Sequence, residues 1–266
     1  MNFLTEIMAL KRARLEGAKR ERSAAELRAV AEEVRRDARA HALRQALENR
    51  ERLNVIAEFK RASPSKGVIR ADADPRLIAC EYEAGGAAAI SVLTEEDRFR
   101  GSLADLAAVR AAASVPVLRK DFVFDQYQLW ESAAAGADAL LLIVAALDDE
   151  TLHRLRRVTE DELGMDALVE VHTKDEMRRA ADAGATLVGV NNRDLHTFKV
   201  SLEVSVELAQ EAADADATLV AESGLRSGED LRRLKALGYS GFLVGESLMR
   251  AARPVEALRE LIDGGA

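Results

Sequence analysis

From Asn54 onward, short runs of aliphatic and β-branched residues alternate with segments whose apolar positions recur at helical spacing. The runs read VIAEFK, AAAISVL, VPVLRK, DALLLIVA, ALVEV, LVGVNN, TLVAES and GFLVGE. Upstream, residues 3 to about 50 carry helical periodicity alone, through Leu4, Ile7, Met8 and Leu15 and then Leu27, Val30, Val34, Leu43 and Leu47. The pattern predicts a helical extension over residues 1–50 followed by eight strand–helix units, all in one domain, 1–266.

Four junctions resemble one another: EAGGAAAISV, AAGADALLLI, DAGATLVGV and ALGYSGFLVG. In each a helix ends at glycine (Gly85, Gly136, Gly184, Gly238) and the chain soon enters an apolar strand. The spacing of about 50 residues corresponds to two βα units. A helix end that turns at once into a strand wants the left-handed conformation, which glycine adopts without a Cβ clash. Alternation without hairpin signals implies a parallel sheet covered by helices. Eight equal units favour closure into a (β/α)8 TIM barrel over an open doubly wound sheet, for which no GxGxxG follows the first strand. In such barrels the loops after the strands build the active site, so polar residues at strand C-terminal ends are the candidates for chemistry.

Strand 1 ends in Glu58 and Lys60, two apart and therefore on one side of the sheet, either an acid–base pair or a rim ion pair. Ser63-Pro64-Ser65-Lys66-Gly67 follows as a hydroxyl-rich loop, suited to covering an anion or to turning. Strand 3 begins at Pro116 and ends Arg119-Lys120-Asp121, three charges hard to ascribe to packing. Lys120 is a candidate general acid if burial and neighbouring cations lower its pKa; otherwise it is a solvated rim lysine. Glu170 lies inside the β-branched run of strand 5, as a general base or as the partner of Lys60 or Lys120. His172, read as lying on the opposite face, is expected to be a surface histidine. Strand 6 ends in Asn191, Asn192, Arg193 and Asp194, the last two either functional or paired only with each other, and strand 7 in Glu222, Ser223 and Gly224. These are hydroxyl clamps, acid–base groups or loop caps. Strand 8 ends at Gly245, before a short helix beginning at Glu246 or Ser247, whose free N–H groups suit an anion. With Gly224 it makes a candidate phosphate cradle. Phe99 and Phe122, after strands 2 and 3, are either ring contacts or core.

Composition narrows the picture. The chain of 266 residues is 48% hydrophobic with mean hydropathy −0.14, material for one large core in a soluble protein. Net charge is −8 and no basic run is interleaved with aromatics, so nucleic acid is not an expected partner. The longest apolar run, Ala139 to Leu147, is far short of a membrane span, and the N-terminus carries charge where a signal peptide has its apolar core; a cytoplasmic location is expected. Cys80, the single cysteine, is expected to be a small buried helix residue. His41, His153, His172 and His196 are scattered, so no metal site is expected. With no Walker loop, GxSxG or dinucleotide fingerprint, acid–base chemistry on a small phosphorylated molecule remains.

Seven blocks carry a resemblance: IAEFKRASPSKG, SVLTEEDRFRGSLADL, PVLRKDFVFDQYQLWESAAAGADALLLIVA, LVEVHTKDE, GVNNRDLHTF, AESGLRSGEDL and LVGESLMR. In order, from Val55 to Arg250, they resemble the signature blocks of the indole-3-glycerol-phosphate synthases. The N-terminal helices are similar to that family's extra segment, which caps the barrel bottom and contributes to the substrate mouth. The resemblance implies the substrate 1-(2-carboxyphenylamino)-1-deoxyribulose 5-phosphate, the products indole-3-glycerol phosphate, CO2 and water, and no cofactor. It also implies roles: Lys120 protonating the ketone, Glu170 removing a proton in the later loss of water, and Lys60, held by Glu58, binding the carboxylate or acting as an acid in dehydration. Asn191, Glu222 and Ser223 would bind hydroxyls and amine; Ser63, Gly224, Gly245 and the Glu246 backbone would hold the phosphate; Arg193, Phe99 and Phe122 would complete the contacts. A chain ending at LRELIDGGA reads as the form without a fused isomerase barrel, a monomer or weak homo-oligomer. The alternatives are another phosphosugar barrel such as phosphoribosylanthranilate isomerase, which would need a Cys or Asp base where Glu58 and Lys60 stand, and a non-catalytic barrel subunit, which has no reason to bear the desolvation cost of charges at five strand ends.

Overall fold

The computed structural model describes residues 3–211 and 217–264; Met1 and Asn2 of the helical extension lie outside the described residues. Eight parallel strands close into a barrel: β1 (Asn54–Phe59), β2 (Ala89–Leu93), β3 (Val117–Lys120), β4 (Ala139–Ile143), β5 (Asp166–Val171), β6 (Leu187–Asn191), β7 (Thr218–Glu222) and β8 (Tyr239–Val244). Each strand pairs with the next, and β1 pairs with β8 (Asn54 opposite Gly241) to close the ring. Almost every strand residue is buried, as a sheet with helices outside and side chains inside demands.

Period-two alternation splits the strands into two apolar layers. Ile56, Leu118, Leu141, Leu168, Val220 and Leu243 fill the barrel, while Val55, Val92, Val117, Val169 and Val190 face the helical shell. Beyond the predicted strands, Ala62–Ser63 and Gly67–Val68 form a two-rung antiparallel ladder in the loop after β1, with Gly67 at φ +63. Three of the four repeat glycines, Gly136, Gly184 and Gly238, have positive φ as expected. The fourth does not: Gly85 is right-handed, and the left-handed turn falls one residue later, at Gly86 with φ +90.

The N-terminal segment stoppers both ends of the barrel. Helix α1 (Phe3–Glu21) crosses the mouth and buries Ile7 and Met8 on the interior layer. Helix α2 (Ala24–Arg35), started by a Ser23–Glu26 capping box, descends to where Arg35 bonds the carbonyls of Leu163 and Gly164. Helix α3 (Ala42–Ala46) closes the bottom: Leu43 and Leu47 join the interior layer, and a Cβ on Gly241 would meet Leu47 at 3.1 Å. Asn54 ties this plug to the β1–β8 seam through bonds to the carbonyls of Leu47, Asn49 and Ser240.

Around the barrel run α4 (Pro75–Ala84), α5 (Leu103–Ala112), α6 (Gln126–Ala134), α7 (Asp149–Arg157), α8 (Lys174–Asp182), α9 (Glu203–Glu211), α10 (Gly228–Ala236), α11 (Glu246–Arg250) and α12 (Pro254–Asp263). Helix α4 corrects one expectation: its buried stripe is Ile78, Ala79 and Tyr82, and Cys80 falls off it and is exposed. No helix among the described residues is long and apolar enough to cross a membrane.

Candidate active site

A cavity of ≈ 1080 Å³ opens at the C-terminal ends of the strands, and all the residues to which the resemblance gave a role line it: Glu58, Lys60, Ser63, Phe99, Lys120, Phe122, Glu170, Asn191, Arg193, Glu222, Ser223, Gly224, Gly245 and Glu246. The charged floor follows from alternation, because Glu58, Lys120, Glu170 and Glu222 each sit two residues beyond an interior apolar side chain, and Asn191 lies four beyond Leu187 with Gly189 between. Lys60 Nζ donates to Glu58 Oε1 at 2.6 Å. Lys120 Nζ stands between two carboxylates, 3.4 Å from Glu170 Oε2 and 3.2 Å from Glu222 Oε2.

This geometry corrects the expected acidity of Lys120. Burial pulls its pKa down, but the groups around it are Glu222, Glu170 and Glu58 rather than cations, and together they raise it above the ordinary lysine value. Burial pushes Glu222 up to about 7, aided by Glu170 and Glu58 and opposed by Lys120. Glu170 is equally buried, yet Lys120, His172 and a hydrogen bond from Asn191 hold it below the ordinary carboxylate value. Two carboxyls flanking one ammonium are thus driven apart, one ready to take a proton and the other ready to carry one.

Glycines make room for this layer. A Cβ on Gly189 would lie 2.1 Å from Glu222 Oε1, and one on Gly245 would lie 2.4 Å from Glu58 Oε1. After β7, Ser223 (φ +62) and Gly224 (φ +83) are both left-handed and turn the chain sharply at the rim. Gly245 is the N-cap residue of α11, which begins at Glu246.

Several neighbours read as chemical turn out to be structural. Arg119 points out of the barrel to the Gln128 carbonyl, Ser132 and Thr94, and Asp121, at the cavity edge, is taken up by Arg119 and by Lys11 of α1 at 2.8 Å. Burial would raise Asp121, but Lys11 and Arg119 hold it at about 2. Arg193 and Asp194 do not pair. Arg193 reaches the Phe198 carbonyl and Ser65, and Asp194 accepts the amides of His196 and Thr197. Asn192, facing outward, ties β7 to α9 through the Glu222 carbonyl and Ser205. The acidic trio Glu95, Glu96 and Asp97 is already engaged by backbone amides, Lys11 and Arg14.

Sequence reasoning missed three features. Phe3 and Phe198 line the cavity, and Phe3 packs edge-on against Phe198 and Phe122 at 5.3 and 6.2 Å; no local pattern brings a residue of α1 there. Ser91, between the interior positions Ala89 and Leu93, has a fully buried hydroxyl without a hydrogen-bond partner. His172 is not on the surface: it is two residues past Glu170, hence on the same side, with Nε2 3.6 Å from Glu170 Oε1. The period-two rule applied one step further would have found it.

Fold and site together define a (β/α)8-barrel enzyme of the acid–base type, its ionisable groups gathered at the strand C-terminal face. A family model described as Indole-3-glycerol phosphate synthase matches residues 4–261, and the chain belongs to that family. A relative of that name from Carboxydothermus hydrogenoformans is 48% identical over 263 residues, covering 98% of this chain and 99% of its own. Another from Leifsonia xyli is 54% identical over 215 residues, covering 81% and 82%. Solved structures with the same fold include 3-hexulose-6-phosphate synthase from Salmonella typhimurium (TM-score 0.63, 14% identity, 79% of this chain and 96% of that one). Thiamine phosphate pyrophosphorylase from Pyrococcus furiosus is similar (TM-score 0.60, 17% identity, 82% and 95%).

Proposed function

We propose that the cavity closes the indole ring of 1-(2-carboxyphenylamino)-1-deoxyribulose 5-phosphate through an ammonium shared by two carboxyls. The chain is an indole-3-glycerol phosphate synthase, a carbon–carbon lyase of tryptophan biosynthesis that releases CO2 and water. The observation that carries the residue roles is the convergence of Lys60, Lys120, Glu58, Glu170 and Glu222 on one cavity.

Lys120 donates to the ketone as the aromatic carbon bearing the carboxylate attacks. Its raised pKa keeps it protonated before substrate arrives, and the oxygen it meets becomes an alkoxide more basic than the lysine amine left behind, so the transfer runs downhill. Decarboxylation then needs no base, because the electrons left behind as CO2 departs restore the aromatic sextet that ring closure broke. Glu170, held ionised, takes the proton lost in dehydration. Lys60, steadied by Glu58, pairs with the anthranilate carboxylate and, once CO2 has left, supplies the proton on which the hydroxyl departs as water. Asn191, Glu222 and Ser223 meet the hydroxyls and amine; Ser63, Gly224, Gly245 and the Glu246 backbone amide cradle the phosphate, with Arg193 beside them; and Phe99 and Phe122 flank the ring. No cofactor enters this scheme. We read the protein as cytoplasmic, a monomer or weak homo-oligomer, with no nucleic-acid partner.

The test is incubation with this substrate while following indole absorbance and CO2 release, for the parent and for Lys120→Ala. The parent should form indole-3-glycerol phosphate, and the variant should keep its fold and lose about 10²–10⁴-fold in turnover. Parent-like product formation by Lys120→Ala would refute the general-acid role.

A further inference from the structure

The scheme above uses neither ring nitrogen of His172, which stands just past the end of β5 and does not line the cavity. Its surroundings determine its charge. Nδ1 lies 3.1 Å from Glu176 Oε2, the oxygen that also accepts the His172 backbone N–H at 2.7 Å. An ionised carboxylate can only accept, so Nδ1 carries a proton. Nε2 is buried, has no hydrogen-bond partner, and faces Glu170 Oε1 at 3.6 Å. A bare lone pair there would oppose the carboxylate, so an ionised Glu170 requires a proton on Nε2 as well. The ring is then an imidazolium.

The groups facing this pair come from four elements: Glu176 from α8, Glu170 from β5, Glu222 from β7 and Lys120 from β3. Burial lowers the His172 pKa, but Glu176, Glu170 and Glu222 outweigh it and raise the group above its ordinary value. Lys120 is a poor permanent counter-ion for Glu170. It is shared with Glu222, and in the reading above it gives up its proton at ring closure, before Glu170 acts in dehydration.

We propose that His172, oriented by Glu176, is the positioning residue that keeps Glu170 ionised and fixed after Lys120 has spent its charge. The proposal rests on the reading of Glu170 as the base. Loss of the imidazolium raises the pKa of Glu170, so the acid limb of the rate profile moves to higher pH.

Two measurements test this. The first follows the His172 ring nitrogens by NMR titration in the parent and in Glu170→Gln: the His172 midpoint should fall by about one pH unit in the variant. Equal midpoints would overturn the proposal, whatever the turnover. The second is the pH profile of kcat for His172→Asn and His172→Gln, with folding checked by circular dichroism. The acid limb should move up by about one unit or more for His172→Asn, and by less for His172→Gln, whose side-chain amide can still donate to Glu170. Glu176→Gln should move it in the same direction. A uniform loss of rate with an unmoved limb, alongside an inactive Glu170→Gln enzyme, would overturn this proposal alone. Full turnover by Glu170→Gln would instead overturn it through the base reading beneath it.

Discussion

At Gly189 and Gly245 the absence of a methyl group is what admits two carboxylates to the floor of the cavity. At Gly189 the close contact of a Cβ, 2.1 Å to Glu222 Oε1, is with the end of a side chain, so alanine would displace the carboxylate rather than the backbone, whereas at Gly245 it would also press on Glu58 Cβ at 3.0 Å. Gly189→Ala should therefore lower turnover at least tenfold while costing about 1–3 kcal/mol in stability, read from kcat and urea unfolding. Glu222 gives a second test. Its folded pKa, about 7, lies above that of an unfolded carboxyl, so the folded state holds this proton more tightly across the interval between them. Its contribution therefore makes stability fall as pH rises through that window and level off above it. Glu222→Gln should remove this slope and exceed the parent's stability at pH 8 by on the order of 2 kcal/mol, while losing activity. A parent-like slope in the variant would place the titration elsewhere.

At the level of elements, Lys11 is the buried ammonium among the ion pairs that hold α1 across the mouth, which also include Arg14 with Asp97 and Lys19 with Asp125. Lys11 bonds Asp121 at the end of β3 and, at 2.9 Å, Glu96 in the loop after β2. The three chain segments that meet there each carry an aromatic of the cavity wall: Phe3, Phe99 and Phe122. Asp121, held at about 2, lends stability that is present above the unfolded carboxyl value and lost as pH falls through about 2. Lys11→Met should cost about 2–4 kcal/mol near neutral pH, part of the charge being retained by Arg119, and should move this acid loss to higher pH. It should also raise KM more than it lowers kcat, because it loosens the wall against the substrate ring and leaves Lys120 in place. The strand-end charges were legible as elements of a pattern. That Arg119 and Asp121 are consumed by packing was not, since their partners on α6 and α1 have no local signature.

For the whole molecule, α1 and α3 approach the barrel from opposite ends yet contribute Ile7, Met8, Leu43 and Leu47 to a single interior cluster. Unfolding either helix would open that cluster to water, so residues 1–50 and the barrel are expected to melt in one calorimetric transition. Two separated transitions would refute the one-domain reading. Solved structures at 14–17% identity share the fold, which fits a scaffold specified by apolar periodicity rather than by particular side chains.

The sequence by itself determined the eight strands, the order of the units, and the acids, bases and glycines at the strand ends, because backbone alternation and helical period act over a few neighbouring residues. Tertiary structure alone decided what those groups are to one another. Lys120 is raised rather than lowered, Glu170 and Glu222 are pushed in opposite directions, and Phe3 reaches the cavity at the strand ends. Charge interaction and desolvation depend on distance through space, and the partners of Lys120 lie 50 and 102 residues away along the chain.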